Sequence, residues 1–305
     1  MKKICTAVSL VLCFTLLFTA CGKNENGNEN KSNNGASGGN AAVANEAYFE
    51  WDMFETSKIT GYSEEGLKQK EITIPARCKS MSYGALQDNA VVEKIYFESN
   101  DIQLGDSAFR NCPSLNYIEL PEGLPEIYED MFWMCSSLEN ITIPDSVTKI
   151  GDKAFYSCGN LKTVKMGNSV TEIGREAFSS CKQLTSITFP TNLEKIGEYA
   201  FAYNDNLEQV DFKNTKLREI GKWAFYNCHK FTKVELPNTL TSLGTMSFTY
   251  CDGLNEIYLP ESLQTVETGS FGQRNHEIRV YVVKDSPADV QFDTYADGTM
   301  VKKYY

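Results

Sequence analysis

The chain has 305 residues, a formal net charge of −11 and 42% hydrophobic side chains, so it can bury a sizeable core. No run of basic residues accompanies this acidic balance, which argues against nucleic acid as a partner. The ten cysteines include no C-x-x-C pair and there are two histidines, so zinc-ligand spacing is absent and we expect no metal and no cofactor.

Residues 1–20 have the features of a secretory signal peptide. Two lysines precede an apolar run, residues 4–19, that is too short to span a membrane comfortably. Residues 17–22, LFTACG, resemble a bacterial lipobox, although Phe18 stands where leucine is usual. The resemblance implies diacylglyceryl modification of Cys21, which becomes the new N-terminus. The alternative is an ordinary signal peptide cleaved elsewhere.

Residues 21–45 are predicted to be a disordered tether. After Cys21 they are dominated by Asn and Gly, contain no aromatic residue and have one large aliphatic side chain, Val43. Such a segment cannot bury enough apolar surface to fold. As a flexible chain it would have an end-to-end distance of roughly 25 to 30 Å, enough to lift a domain off a membrane.

Residues 46–68 change abruptly in composition and include Tyr48, Phe49, Trp51, Met53 and Phe54. We interpret this segment as an N-terminal cap, because the end of a repeat array exposes an apolar face and a strand edge that need covering. A ligand pocket built from these aromatic side chains is the alternative.

Residues 69–276 form a repeat array with the skeleton L-x-x-I-x-I/L-P-x-x-V/L-x-x-I-G-x-x-A-F-x-x-C-x-x. Nine units begin at Gln69, Val92, Leu115, Leu138, Leu161, Leu184, Leu207, Phe231 and Leu254. Eight units have 23 residues, and the one that starts at Leu207 has 24, with the extra residue falling within residues 213–216. Self-similarity at a fixed period in this range predicts a solenoid.

The unit at residues 138–160 shows why the coils must stack. Ile141 and Ile143 alternate with polar residues, which predicts a short half-buried strand. Gly151 permits a tight bend, and the spacing of Phe155 and Cys158 predicts one helical turn with its apolar groups inward. One coil cannot enclose a core, so we expect every strand to hydrogen-bond to the equivalent strands of both neighbouring coils.

The motif I-x-I-P-x-x-V-x-x-I-G-x-x-A-F-x-x-C-x-x-L resembles the BspA-like leucine-rich repeats of bacterial surface antigens, and the resemblance covers residues 69–276. It implies an α/β fold, a curved leucine-rich repeat solenoid of about nine 23-residue coils with caps at both ends. It also implies surface attachment and binding to proteins or other macromolecules rather than catalysis. Which ligand binds is not implied.

Residues 277–305 are interpreted as a C-terminal cap. Residues 278–283 predict one more strand, Ser286 and Pro287 open a short helix, and Asp297 with Gly298 marks a turn into residues 299–305. This region contains no second hydrophobic anchor, so we expect membrane contact only through the N-terminal lipid.

One position of each unit is occupied mainly by cysteine. Its members are Cys112, Cys135, Cys158, Cys181, Cys228 and Cys251, with Asn89 and Asn204 as replacements. A position shared by Cys and Asn predicts a small inward side chain that faces neighbouring backbone. Reduced, buried thiols are favoured, and disulfides between adjacent coils are the alternative.

Two outward columns are candidate binding surfaces. The first lies on the predicted strands and offers Lys94, Tyr96, Tyr117 and Glu119. The second lies on the predicted helical turns and offers Tyr199, Trp223 and Met246. Three consecutive large apolar side chains in an outward column form a patch, although they could equally pack on the edges of their own coils.

Three function classes follow. The first is a lipid-anchored cell-surface binding scaffold that recognises a protein or glycan, with host matrix and mucin among the candidate partners in adhesion. The second is a structural or assembly lipoprotein of the bacterium's own envelope. The third is a hydrolase with an unrecognised site. The folded segment has no nucleophile elbow, no H-E-x-x-H motif and no P-loop, so we expect no catalytic residues and no enzyme.

Overall fold

The structure is a computed structural model that describes residues 44–272 and 276–305. The predicted signal peptide, the lipidation site Cys21 and the tether up to residue 43 lie outside the described residues. Within them, no helix is long and apolar enough to cross a bilayer.

The described chain is built almost entirely from short strands joined by turns. In chain order the strands are β1 (Phe49–Trp51), β2 (Lys58–Tyr62), β3 (Glu71–Ile74), β4 (Ser80–Met81), β5 (Lys94–Phe97), β6 (Tyr117–Ile118), β7 (Glu126–Ile127), β8 (Asn140–Thr142), β9 (Lys149–Ile150), β10 (Thr163–Lys165), β11 (Glu172–Ile173), β12 (Ser186–Thr188), β13 (Lys195–Ile196), β14 (Gln209–Asp211), β15 (Glu219–Ile220), β16 (Lys233–Glu235), β17 (Ser242–Leu243), β18 (Glu256–Leu259), β19 (Thr265–Val266), β20 (Ile278–Val282) and β21 (Met300–Tyr304). The helices are α1 (Pro287–Val290) and α2 (Phe292–Tyr295), with 3-10 turns at Glu46–Tyr48 and Gly66–Lys68.

Eight of the nine predicted units contribute two strands, and the unit that begins at Val92 contributes β5 and an isolated bridge from Gln103 to Ser80. The equivalent strands of successive coils form two rows of parallel neighbours. The first row contains one strand from each of the nine predicted units, from β3 to β18, and continues through β20 and β21. The solenoid therefore has about eleven coils rather than nine. Both added strands come from the segment that the sequence assigns to the C-terminal cap.

The second row is the more continuous of the two. A seven-stranded parallel sheet runs in the order β7-β9-β11-β13-β15-β17-β19, with Ile127, Ile150, Ile173 and Ile196 in register. The sequence predicted only inward residues and a bend at these positions. Two residues per coil suffice here because the same two-residue strand recurs in every coil.

The first row is interrupted, so the prediction that every strand bonds to both neighbours is wrong. Among the described residues its strands fall into four sheets, β3-β5-β6, β10-β8, β12-β14 and β16-β18-β20-β21. The strands remain side by side, but the ladder is broken between β6 and β8, between β10 and β12, and between β14 and β16.

The predicted helical turn is also wrong, because that part of each array coil is a string of β-turns. In the central unit the Ala154 N–H donates to the Gly151 carbonyl at 3.4 Å, and the Cys158 N–H donates to the Phe155 carbonyl at 3.2 Å. The third residue of each turn has a positive φ, 53° at Lys153 and 58° at Ser157. A left-handed third residue is the feature of a type II turn.

Gly151 serves a different purpose from the one predicted. Its φ is not positive, so the bend does not require glycine. A Cβ atom built there would lie 2.8 Å from the Glu129 nitrogen and the Ile127 carbonyl oxygen of the preceding coil. The glycine is needed because adjacent coils approach closely, which also lets its N–H donate to the Ile127 carbonyl at 2.7 Å.

The core is a stack of phenylalanine rings enclosed by the strand side chains. Phe132, Phe155, Phe178 and Phe201 are fully buried, and their ring centroids are separated by 5.2, 5.0 and 5.3 Å in turn. Stacked aromatic pairs contribute about 0.5 to 1.5 kcal/mol beyond the apolar area they bury. Stability therefore comes largely from contacts between coils.

Both ends of the array are covered by segments outside the nine predicted units, whose exact boundaries remain predictions. The hairpin of β1 and β2 lies beside β4, with Ile59 paired to Met81. At the other end, the Ser286 hydroxyl accepts the Asp289 N–H and caps α1. The Tyr295 ring packs edge-on against Phe271, the last phenylalanine of the stack, at 6.1 Å.

Candidate functional site

The outward side of the first row, here called the strand face, is formed by the first and third residues of its central strands. In β8, β10 and β12 these two residues are exposed and the middle residue is buried. The alternation arises because successive side chains of a strand point to opposite sides. The strand face therefore offers regularly spaced polar side chains on a backbone fixed by neighbouring coils.

Tyr96 and Tyr117 lie together on this face, as their positions in adjacent strands predict. Their ring centroids are 5.5 Å apart with an interplanar angle of 43°. Tyr117 is 43% exposed and Tyr96 is half-buried. Partial burial, and then the carboxylate of Glu119, raise the pKa of Tyr117, so its hydroxyl is a neutral hydrogen-bonding group at physiological pH.

Lys94 and Glu119 flank the tyrosine pair with opposite charges. The Lys94 ammonium donates to the Glu71 carboxylate at 2.6 Å, and this hydrogen bond raises the pKa of Lys94. Glu119 is exposed beside Tyr117. The four candidates on the strand face thus form one patch that combines aromatic rings with both signs of charge.

A groove adjoins this patch where the first row is interrupted between β6 and β8. It has a volume of ≈ 360 Å³ and its lining includes Tyr117, Glu119, Glu122, Asn140 and Thr142. Two of the predicted binding residues therefore line a concavity. The sequence could not show the groove, because the repeat pattern is regular across that interruption.

A second groove opens between β14 and β16, and sequence reasoning missed it. It has a volume of ≈ 460 Å³, and its polar lining includes Gln209, Asp211, Lys213, Lys233 and Glu235. The Glu235 carboxylate lies 2.5 Å from the Lys233 ammonium and 3.6 Å from that of Lys213, which holds the pKa of Glu235 below its usual value. The extra residue of the 24-residue unit, next to Lys213, was the available signal.

The second candidate column, on the turn side, packs against itself. Tyr199 and Trp223 stack with centroids 4.7 Å apart and an interplanar angle of 16°. The Trp223 indole Nε1–H points to the Met246 sulfur at 3.3 Å. All three side chains are half-buried, and the faces of the two rings meet each other, so this column presents edges rather than open ring faces to a partner.

Three further tyrosines extend the turn side, and sequence reasoning did not select them. Tyr226 lies edge-on between Tyr203 and Tyr250, with centroid distances of 5.5 and 5.3 Å. Tyr203 and Tyr250 have positive φ values of 61° and 58°. Bulky residues in this conformation are uncommon, which makes the turn side of these coils unusual in backbone as well as composition.

The cysteine column faces neighbouring backbone, as its shared use of Cys and Asn predicts. The Cys158 thiol donates to the Phe132 carbonyl at 3.1 Å, and the Asn204 amide donates to the equivalent carbonyl of Phe178 at 2.9 Å. The seven cysteines of the described chain are buried thiols. Burial raises the pKa of six of these thiols, those of Cys78, Cys112, Cys135, Cys158, Cys181 and Cys228, and the pKa of Cys112 rises to about 12. These six groups are therefore protonated at neutral pH.

The described residues contain no group of three or more His, Cys, Asp or Glu side chains that could hold a metal ion. His229 pairs with Asp252 at 3.0 Å, with both side chains well exposed, and His276 contacts the Leu254 carbonyl at 2.9 Å. Each histidine therefore has a local partner on the surface of its own coil or the next.

Six copies of the family model for the BspA type leucine-rich repeat region match residues 57–185 and 171–298. The chain belongs to the BspA-type leucine-rich repeat family. The match spans most of the described residues, including the stacked coils that form both candidate surfaces. Proteins built from such repeats act as scaffolds for protein interaction, and this family is typical of bacterial cell surfaces.

Solved structures of bacterial proteins are similar to this chain. The chain is similar to a leucine rich cell surface protein from Faecalibacterium prausnitzii, with 20% identity, a TM-score of 0.50, and 88% of this chain and 96% of that chain covered. It is also similar to the pneumococcal vaccine antigen PcpA, with 16% identity, a TM-score of 0.44 and coverage of 77% and 79%. None of the curated proteins matches the sequence.

Proposed function

We propose that this BspA-type repeat protein is a lipid-anchored cell-surface binding module, without catalysis, whose strand face recognises a protein or glycan partner. Membership in the family supports a scaffold for interaction. The lipobox-like sequence ending at Cys21 supports the anchor. Adhesion to host matrix or mucin would be one use of such a surface.

One difference between the two candidate surfaces favours the strand face as the binding site. Tyr117 and Glu119 line an open groove of ≈ 360 Å³, whereas Tyr199, Trp223 and Met246 contact one another. Aromatic side chains with polar tips are enriched at binding hot spots when they fill a concave, well-fixed site. The strand face has these features, and its residues lie on strands rather than on turns.

The test is a pull-down with the soluble array, residues 46–305, against host matrix proteins, mucins, glycans and the bacterium's own envelope proteins. Against a captured ligand, we expect Tyr96→Ala with Tyr117→Ala to weaken binding by at least about 2 kcal/mol. The urea midpoint should hardly change, because both side chains lie on the surface. Trp223→Ala is the matched control, since it removes an aromatic side chain from the other column.

Loss of binding only in the Trp223→Ala variant would move the site to the turn side. Loss in neither variant would remove both aromatic patches from the proposal. Surface exposure separates a binding module from an internal envelope component, because protease shaving of intact cells releases fragments of residues 46–305 only if the array faces outward.

The anchor has its own test. We expect Cys21→Ser to leave the chain unprocessed or released to the medium, because the acyl chains supply its membrane attachment. The measurement is partition between membrane and medium fractions. Continued partition with membranes after signal removal would contradict the lipoprotein proposal.

A further inference from the structure

The tip of the β1–β2 hairpin exposes two adjacent large apolar side chains. Met53 is 86% exposed and Phe54 is 92% exposed, the highest values among the large hydrophobic residues of the described chain. Single exposed apolar residues are ordinary on protein surfaces. Two such residues in succession at the end of a projecting hairpin form a small apolar surface that is not part of the core.

The turn that presents this tip is well ordered by its own hydrogen bonds. The Asp52 carboxylate accepts the Phe54 N–H at 2.8 Å and the Glu55 N–H at 2.9 Å, and these bonds lower the pKa of Asp52. The Asp52 N–H donates to the Lys58 carbonyl at 2.9 Å, and the Lys58 N–H donates to the Glu55 carbonyl at 2.8 Å. The two side chains are therefore held outward by a built turn.

An amphipathic belt lies behind the tip. The Arg77 guanidinium sits 3.6 Å from the centroid of the Trp51 ring and 2.7 Å from the Glu46 carboxylate. Glu55 lies 3.6 Å from the Lys58 ammonium. The charged groups of Glu46, Arg77, Asp52, Glu55 and Lys58 are thus paired or hydrogen-bonded. Apolar side chains at the tip suit the acyl chains of a bilayer, and the tryptophan and arginine behind them suit its headgroup region.

We propose that Met53 and Phe54 insert into the surface of the bilayer that holds the lipid anchor, so that the N-terminal end of the array docks on the membrane. This inference rests on the proposed lipidation of Cys21. Cys21 lies 32 residues before Met53, and the predicted tether between them would, as a flexible chain, reach roughly 25 to 30 Å. Anchoring therefore makes insertion an intramolecular event at high effective concentration.

The size of the tip favours a bilayer over a protein partner or a second copy of the chain. Two side chains fall far short of the roughly 1,000 Å² that a specific protein interface buries. A weak apolar contact becomes effective when a covalent lipid already holds the chain at the membrane, because stable attachment combines two signals.

The experiment uses the chain from residue 21 to 305, coupled through Cys21 to a maleimide phospholipid in phosphatidylcholine vesicles. The seven cysteines of the described chain are buried, so Cys21 is the thiol open to coupling. In a chain whose native Trp51, Trp133 and Trp223 are replaced by phenylalanine, Phe54→Trp places the one emitting tryptophan at the tip. Lipids brominated near the headgroup end of their acyl chains act as the quencher. Val290→Trp is the matched control, because Val290 is 78% exposed at the opposite end of the array.

We expect the tryptophan added at residue 54 to lose its emission by at least about twofold in brominated vesicles, as insertion of one residue at the acyl boundary requires. The tryptophan added at residue 290 should keep its emission. Equal quenching of both reporters, or quenching of neither, would overturn the proposal. A dimer formed through the tip would also overturn the proposal. In that case the uncoupled parent chain would have twice the mass of a monomer, and the Met53→Ser, Phe54→Ser double variant would have the mass of a monomer.

The chemical coupling separates this inference from the proposed lipidation. Because the maleimide lipid supplies the anchor in the vesicles, absence of quenching there would overturn insertion of the tip whatever happens in cells. Failure of Cys21→Ser to release the chain from cells would overturn the lipid anchor and leave the vesicle result intact.

Discussion

Replacement of Phe178 by alanine tests how the coils are held together. Phe178 is fully buried, and its ring stacks on Phe155 at 5.0 Å and on Phe201 at 5.3 Å. Removing the ring eliminates both stacks and leaves a cavity between coils. We expect a loss of about 3 to 5 kcal/mol in the free energy of unfolding, as for other buried phenylalanines.

The matched control is Lys165→Ala, at an exposed position of the strand face in the same coil. We expect it to change the free energy of unfolding by less than about 0.5 kcal/mol. Urea titration followed by circular dichroism measures both variants. Since a solenoid can unfold coil by coil, hydrogen exchange at Ile173 and Ile196 should accompany the titration. Equal losses in the two variants would show that the inward and outward sides of the coil are reversed.

Two further predictions concern the turns and the thiols. Lys153 has a φ of 53°, so Lys153→Gly should raise the free energy of unfolding by about 1 kcal/mol, because glycine tolerates that conformation; a lower urea midpoint would contradict the turn geometry. Burial raises the pKa of Cys112 from 9.0 to about 12, so the unfolded chain releases this proton at a lower pH than the folded chain does. Its contribution to stability is complete below pH 9 and is lost as the pH rises toward 12. The fall in urea midpoint over that range should therefore be smaller in Cys112→Ala, and an unchanged fall would place the thiol in water.

The inward side chains could be predicted because their spacing repeats. Ile141, Phe155 and Cys158 recur at fixed positions in successive units, and a residue that recurs once per coil must lie in one column. The shared use of cysteine and Asn204 likewise predicts a contact with neighbouring backbone. Both features depend only on the period, which is visible in the sequence.

The backbone between these positions could not be predicted in the same way. The strand Lys149–Ile150 has two residues, too few to show alternation. The left-handed turn positions are occupied by Lys153, Tyr199 and Trp223, whereas glycine would have signalled a positive φ. These conformations are stabilised by hydrogen bonds to the next coil, such as the Lys153 N–H to the Arg175 carbonyl at 2.7 Å.

The arrangement of the candidate binding residues could likewise be predicted only in part. The sequence placed Tyr96 near Tyr117 because both occupy outward positions of neighbouring strands on one face. It could not show that Tyr117 lines a groove, since the groove depends on an interruption of the ladder that no change in the repeat accompanies. Nor could it show that Trp223 and Met246 contact each other, because the column can point outward or fold along its coils.

Site-specific crosslinking on intact cells tests the central claim most directly, that the strand face is where a partner binds. A photoreactive residue would replace Thr142, which lines the groove beside Tyr117, or Tyr203, which is 42% exposed on the turn side. We predict that the Thr142 position forms a discrete crosslinked product in the presence of the partner's source and that the Tyr203 position does not. A product from Tyr203 alone would contradict the claim.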